Sequence, residues 1–310
     1  MSENKFVIRK AFMLGAGLGT RLRPLTDRVP KPLVPLFHRP LVEWAMEACR
    51  DAGVCDFAIN THHLPDEWTN PDFGLRVDDW SEGRFLGANG RRSVGGTWSG
   101  CSVNLFHEPD LLETGGGIKN IASWIGEDDV LVHNGDIFSS IPLSSLIESH
   151  EQSDHLVTLA LRSDGEARHI AYRDGEVSDI RGMIHEIEGT HVFSGIYCFS
   201  PGFLDRLPMG EKVSVIPAFL ELIRERRLGA VVIDEGIWAD LGDPESYLAA
   251  HQELALAPAV HEAARVAKGV SLESSVIGPD AEIGEGASLR NAVVWPGGRV
   301  QAGEELEGVI

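Results

Sequence analysis

Long apolar runs are missing from this chain. Nowhere do about 18 apolar residues follow one another, so the sequence predicts no membrane-spanning helix and no membrane partner. The first residues, Met1 to Arg9, carry charges but no apolar segment of the kind that marks a secretory leader. Cysteine is scarce as well. Cys49, Cys55, Cys101 and Cys198 form no CxxC pair and no metal-type spacing with histidine, which predicts reduced thiols in a cytoplasmic setting, without zinc or a disulfide framework. Positive charge is also in short supply, with 27 Lys and Arg against 47 Asp and Glu and a formal net charge of −20. Phosphate-backbone affinity is built from clustered Lys and Arg, so nucleic acid is not an expected partner. An anionic small molecule would need a local concentration of positive charge, and Arg21, Arg23, Arg28 and Lys31 supply one within a single short loop.

What is present is a globular composition. Of 310 residues 43% are hydrophobic, with 34 Gly and 16 Pro to make tight connections, enough for one large unit and something smaller. Phe6 to Leu14 reads as a strand that runs into Gly15-Ala16-Gly17-Leu18-Gly19. Pro40 then opens an apolar-periodic helix to about Ala52, and Phe57 to Asn60 is a second strand. The alternation continues with a helix at Gly116 to Trp124, a strand at Val130 to His133 and a helix at Leu143 to Ser149. This predicts an α/β fold with a Rossmann-like, mostly parallel mixed sheet and helices on both faces. Residues 70–100 break the pattern and read as an inserted surface loop or small hairpin. From His155 short runs with turns at Asp164-Gly165 and Asp174-Gly175 suggest antiparallel strands beside the main sheet. Helices are expected at Val215 to Arg226 and Pro244 to Leu256, following a strand at Ala230 to Ile233. The first unit thus covers residues 1–260.

The tail, residues 264–310, carries the one internal repeat. Ile277, Ile283, Leu289 and Trp295 fall six apart, with Ala281, Ala287 and Val293 four after the first three. A six-residue apolar period with Gly, Pro and Asp between is the pattern of a short left-handed β-helix. Two coils bury little alone, so the tail is expected to pack on a neighbour and to help form a homo-oligomer.

Glycines after a first strand let backbone amides approach phosphates. The dinucleotide fingerprint fails, because Thr20 stands where its last glycine belongs and Thr61 and His62 end the second strand without an acid. The kinase-type P-loop fails too, since the loop ends Gly19-Thr20-Arg21. The full stretch, Gly15 to Thr26 followed by Pro30-Lys31-Pro32, resembles the signature of the sugar-phosphate nucleotidyltransferases. The resemblance covers roughly residues 7–250 and implies an enzyme that joins an NTP to a sugar 1-phosphate with Mg²⁺ and releases pyrophosphate.

Under that resemblance Leu14, Gly15, Ala16, Gly17, Gly19 and Thr20 are expected to hold the nucleotide. Arg21, whose fork grips two oxygens at once, would bind the leaving phosphates. Lys31, stiffened by two prolines, would face the reacting α-phosphorus. Leu112-Glu113-Thr114-Gly115-Gly116-Gly117 resembles the segment that reads the nucleobase, from which Glu113, Thr114, Gly115 and Gly116 are expected contacts, and Thr114 could also cap the helix that follows. In the resembled family the aspartates matching Asp136, after Val132-His133-Asn134-Gly135, and Asp240, in Trp238-Ala239-Asp240-Leu241-Gly242, hold the magnesium. Asp243 is the better helix cap, since Pro244 follows it.

The acceptor side departs from the pattern. Many members carry Glu-Lys-Pro where this chain reads Arg181-Gly182-Met183-Ile184-His185-Glu186, so the family's acceptor lysine has no counterpart. That places the chain nearer the N-acetylmuramate-1-phosphate uridylyltransferase branch, whereas the tail is similar to mannose-1-phosphate guanylyltransferases. Gly182, with Ser194 and Gly195 of Phe193-Ser194-Gly195-Ile196, either lines a sugar pocket or belongs to ordinary framework. His62 and His63 point to opposite faces of a strand and receive no role. The alternative is a catalytically silent nucleotide-sugar-binding subunit on the same fold. An added acyltransferase activity is disfavoured, because the tail is too short a stack.

Overall fold

The computed structural model describes residues 8–165, 167–173 and 175–310. The expected strand start at Phe6 and the turn residue Asp174 lie outside these. Strand β1 (Lys10–Leu14) leads through the glycine loop and the hairpin β2 (Pro35–Leu36) and β3 (Arg39–Pro40) into helix α1 (Leu41–Asp51). Leu41, Val42, Ala45, Met46 and Cys49 repeat at helical spacing on α1 and are buried together, while Pro40 fixes the chain's entry. Strand β4 (Asp56–Thr61) follows.

The segment expected as an insertion forms two strands, β5 (Asp78–Leu86) and β6 (Arg92–Trp98), that extend the sheet beyond β7 (Cys101–His107). Where one helix was expected there are two, α2 (Glu113–Asn120) and the short α3 (Ala122–Ile125), separated at Ile121. Next come β8 (Val130–Asn134), β9 (Ile137–Ser139), α4 (Leu143–Glu151), β10 (Val157–Arg162), β11 (Ile170–Arg173), β12 (Glu176–Ile180) and β13 (Val192–Phe199). Helix α5 (Ile216–Arg224), β14 (Leu228–Val232), β15 (Trp238–Asp240) and α6 (Pro244–Glu253) complete the main body. Asp243 caps α6, accepting from the Ser246 N–H at 2.9 Å, with Pro244 in the first helical position.

Eleven strands make one sheet in the order β11-β12-β14-β10-β13-β8-β1-β4-β7-β6-β5. The pairs β8–β1, β1–β4, β4–β7 and β10–β14 are parallel, and the remaining neighbours are antiparallel. The sheet is therefore mixed, as expected, but its antiparallel pairs outnumber the parallel ones, six to four. Strand β13 runs against both β8 and β10, and a hairpin closes each edge. Side chains alternate between two cores, one on each face. Met13, Phe57, Ile59 and Leu131 join α1 and α4, whereas Phe12, Ala58, Val130 and Val132 join α2, α3 and α5. Because β1 lies between β4 and β8, the connections after β1 and β8 part in opposite directions and leave a crevice at the strands' C-terminal ends.

The four cysteines are not all thiols. Cys55 and Cys101 form a disulfide, while Cys49 and Cys198 are free and buried. The pair sits where the parallel neighbours β4 and β7 begin, with Cα atoms 4.8 Å apart, so strand pairing joins residues that local spacing keeps separate.

The tail forms three short parallel ladders. Strands β16 (Arg265–Val266), β19 (Glu282–Ile283) and β22 (Arg299–Val300) make the first, and β17 (Ser271–Glu273), β20 (Ser288–Arg290) and β23 (Glu305–Glu307) the second. The third is β18 (Val276–Ile277) with β21 (Val293–Val294). Each residue pairs with one seventeen positions on, as Arg265 does with Glu282, because the step from Ser271 to Val276 is five residues rather than six. Ile277, Ala281, Ile283, Ala287 and Leu289 fill the tail's own core. Val276, Val293 and Trp295 instead join the core of the main body. Part of the apolar surface expected to meet a neighbour is thus buried within the same chain. Among the described residues no helix is long and apolar enough to cross a membrane.

Candidate active site

The glycine loop opens at the end of β1 and is held from behind by a buried polar chain. Gly15 N–H donates to Asn60 Oδ1 at 2.8 Å, Asn60 Nδ2 donates to Glu108 Oε1 at 2.7 Å, and Leu112 N–H donates to Glu108 Oε2 at 3.1 Å. The connections after β1 and β7 and the C-terminal end of β4 are tied together by these bonds. Burial pushes the Glu108 carboxyl above the ordinary carboxylate range, while the Asn60 and Leu112 donors pull it back. A Cβ at Gly15 would come within 2.8 Å of the Trp68 ring, so only glycine lets this close approach occur. Gly19 is left-handed, φ 61°, at the point where the loop turns into the short helical turn Thr20–Leu22.

Lys31 is the centre of charge. Only 4% exposed, it stands on the 3-10 turn Lys31–Leu33 behind Pro30. Its Nζ is 3.0 Å from Asp136 Oδ2 and 3.4 Å from Asp240 Oδ1. Arg21 reaches Asp240 Oδ2 at 3.5 Å across Gly242, with its side chain largely exposed. Asp136 follows β8, and Asp240 is brought to it by the pairing of β15 with β9, in which Asp240 is opposite Ile137. Four side chains up to 219 positions apart in the chain thus converge at the crevice. Among the described residues no group of three or more His, Cys, Asp or Glu side chains converges as a metal site. Beneath them His133 is fully buried, its Nδ1 2.7 Å from Asn134 O, and burial lowers its imidazole to about 4.

A cavity of about 400 Å³ lies over this charge cluster. Leu14, Ala16, Gly17, Gly19, Lys31, Glu113, Thr114 and Asp136 are among its lining residues, as are Asn60, Leu111, Asn134 and Ser214, which motif reading did not single out. Their common signal is position: Asn60 and Asn134 stand at the C-terminal ends of parallel strands. Thr20 is exposed and outside the lining. Gly115 and Gly116 do not line the cavity, and both donate N–H to Val213 O, at 2.8 and 3.0 Å. Thr114 does not cap α2; its hydroxyl accepts from Val215 N–H at 3.0 Å and so ties the same two segments. Glu113 faces Lys212, 3.7 Å away.

The acceptor-side expectations divide. Gly195 lies against the Asn134 side chain at the cavity edge. Ser194 is committed to the sheet, its hydroxyl donating to Ala160 O at 2.8 Å and accepting from Ile196 N–H. Gly182 lies in a turn beside the cavities and lines neither, whereas its neighbour Arg181 lines a second cavity of about 190 Å³. His62 and His63 bond to separate backbone carbonyls, those of Glu108 and Thr26.

Residues 10–256 match the family model described as Nucleotidyl transferase. The chain belongs to that family. It is 30% identical over 294 residues to the mannose-1-phosphate guanylyltransferase of Mycobacterium tuberculosis (strain ATCC 25618 / H37Rv), covering 88% of this chain and 76% of that protein. It is 26% identical over 238 residues to the N-acetylmuramate alpha-1-phosphate uridylyltransferase of Neisseria meningitidis serogroup B, covering 75% of this chain and 93% of the relative. Against the mannose-1-phosphate guanyltransferase of Gibberella zeae it spans 62% of the relative's length. Among solved structures, the UDP-glucose pyrophosphorylase from Acinetobacter baumanii superposes with a TM-score of 0.59 at 19% identity, over 78% of this chain and 92% of the other. The fold is that of a nucleotidyltransferase, an enzyme family.

Proposed function

We propose that this protein is a Mg²⁺-dependent sugar-1-phosphate nucleotidyltransferase. One observation carries the reading: the Lys31 ammonium is shared by Asp136 and Asp240 at the mouth of a glycine-loop cavity. The sugar phosphate oxygen attacks the α-phosphorus of an NTP, the bond from that phosphorus to the bridging oxygen breaks, and pyrophosphate leaves in line. An ionised sugar phosphate has no proton to surrender, so no general base is needed. Catalysis is then positioning and charge stabilisation. Lys31 holds the α-phosphate, and Arg21, exposed and able to swing from Asp240, takes the β and γ phosphates.

Arg21 and Lys31 are balanced by Asp136 and Asp240, which leaves no spare cation in this group for the charge of a triphosphate. The two carboxylates fit a magnesium ion, which favours one or two carboxylates with phosphate oxygens and water. When bound it would neutralise charge developing on the phosphates. Leu14 to Gly19 cradles the nucleotide while Leu111, Glu113 and Thr114 close over its base. The substrates of the relatives, mannose 1-phosphate and N-acetylmuramate 1-phosphate, bracket the acceptor. The tail, as a left-handed β-helix, divides the chain near residue 260 and offers outward ladders for oligomer contacts.

The test is pyrophosphate release with Mg²⁺, crossing the common nucleoside triphosphates with mannose, glucose, N-acetylglucosamine, N-acetylmuramic acid and heptose 1-phosphates. One pair is expected to stand out. Silence across the grid with nucleotide still bound would replace this reading with that of a silent nucleotide-sugar-binding subunit.

A further inference from the structure

Strand β4 ends at Thr61, and the two histidines that follow it serve different segments. His62 Nδ1 donates to Glu108 O at 2.8 Å, and His63 Nε2 donates to Thr26 O at 2.7 Å. A carbonyl only accepts, so each of these ring nitrogens carries a proton. On the His62 side the Glu108 peptide is held at both ends, because its own N–H donates to Thr61 O at 2.7 Å. The Glu108 carboxyl accepts from Leu112 N–H at 3.1 Å, which closes residues 108–112 into a ring just before Glu113. On the His63 side Thr26 is 1% exposed, and its hydroxyl donates to Gly19 O at 2.8 Å. That bond closes residues 19–26, the loop on which Arg21 stands. A Cβ at Gly19 would come within 2.8 Å of Thr26 Cγ2 and 3.1 Å of Lys31 Cβ, so the closed loop also packs on the reactive lysine.

The two segments are the two rims of the larger cavity, with Gly19 and Lys31 lining it on one side and Leu111 and Glu113 on the other. Neither histidine lines the cavity, so each acts on its contents only through the carbonyl it holds. We infer that His62 and His63 are positioning residues that set the two rims independently. His63, through Thr26, fixes the phosphate-side loop with Arg21, and His62, through Glu108, fixes the segment that meets the base. This rests on the transferase reading above and adds a division of labour to it: affinity for the base and affinity for the leaving pyrophosphate are governed by adjacent side chains on one strand end. One intramolecular hydrogen bond is worth a modest factor in an equilibrium, so each histidine tunes its rim severalfold and does not switch it on or off. A general scaffolding role would act on both rims at once, because both histidines leave the same strand.

The experiment is calorimetric titration of the full chain in Mg²⁺ with GTP, UTP, their monophosphates and inorganic pyrophosphate, and the ratio of triphosphate to monophosphate affinity is the deciding readout. His63→Ala should weaken triphosphate and pyrophosphate roughly three- to tenfold and leave the monophosphate within about twofold of the parent. Thr26→Val keeps a methyl against Gly19 and removes the hydroxyl, so it should give the same split, and it decides the matter where His63→Ala does not fold. His62→Ala should weaken monophosphate and triphosphate by one common factor, again roughly three- to tenfold, and leave pyrophosphate unchanged. His63→Gln and His62→Asn, whose side-chain amides return an N–H near the lost one, should restore most of each affinity. Equal losses for all ligands in either alanine variant, or no loss in both, would overturn the proposal. A parent that binds a triphosphate while no variant shows the split sinks this inference alone, whereas a parent that binds neither triphosphate sinks the transferase reading and this inference with it.

Discussion

The two halves of the crevice are built in opposite ways. On the nucleotide side the loop backbone is pinned by a buried chain of hydrogen bonds through Asn60 and Glu108, and charge is gathered by four side chains around Lys31. The adjoining cavity of about 190 Å³ is lined instead by separate side chains, Leu159, Ile170, Ile180 and Phe193 from four strands and Phe219 from α5, with polar groups such as His169 and Arg181 between them. Under the proposed function, the part that meets phosphates is fixed by backbone, and the part that meets the sugar is shaped by replaceable side chains.

If this contrast is real, damage to the first side should destroy turnover and damage to the second should redirect it. Asp136→Ala or Asp240→Ala is expected to lower kcat roughly a hundredfold or more, with the melting temperature little changed, as measured by pyrophosphate release and calorimetry. Turnover near the parent's in either variant would remove the distinction. A second measurement concerns the histidines beneath the nucleotide side and the tail, His133 and His251. Burial lowers both to about 4, against an ordinary value near 6.5 when unfolded. Their contribution to stability is therefore complete above about pH 6.5 and is lost as pH falls from there toward 4, on the order of 3 kcal/mol for each. Denaturant titrations at pH 7 and 4.5 check this, and His251→Gln should flatten the difference. The smallest effect is expected for Glu108→Gln. Its amide would face one of two N–H donors, costing about 1–3 kcal/mol of stability, and loosening of Asn60 should raise KM for the nucleotide but not for the sugar phosphate.

The same contrast explains what could be read from the sequence. That Lys31, Arg21, Asp136 and Asp240 belong together was legible because phosphate chemistry calls for charged residue types in a glycine loop and at strand ends, and the glycines report close backbone approach. Asn60 and Glu108 carry no such mark, because an amide that serves the loop backbone belongs to no phosphate or ribose motif. Nothing in the sequence marks Tyr197 and Phe219 as lining a cavity, since an aromatic on a strand or helix is ordinarily core. Helices and central strands followed from periodicity, but the orientation of β13, which makes the sheet mixed, and the pairing of Cys55 with Cys101 depend on which strands become neighbours. The six-residue rhythm of the tail was legible and its destination was not: Trp295 keeps the spacing and leaves the tail's core.

That departure has a mechanical consequence. Trp295 Nε1 donates to Tyr247 Oη at 3.2 Å, and Tyr247 donates in turn to the carbonyl of Pro35, two residues past the turn that carries Lys31. Phe73, 6.1 Å from the Trp295 ring, closes the same joint from the side. The tail is thus a strut that bears, through Trp295, on the platform under Lys31. Shortening the chain to residues 1–260 would leave Arg21, Lys31, Asp136 and Asp240 present and take away the abutment behind Lys31.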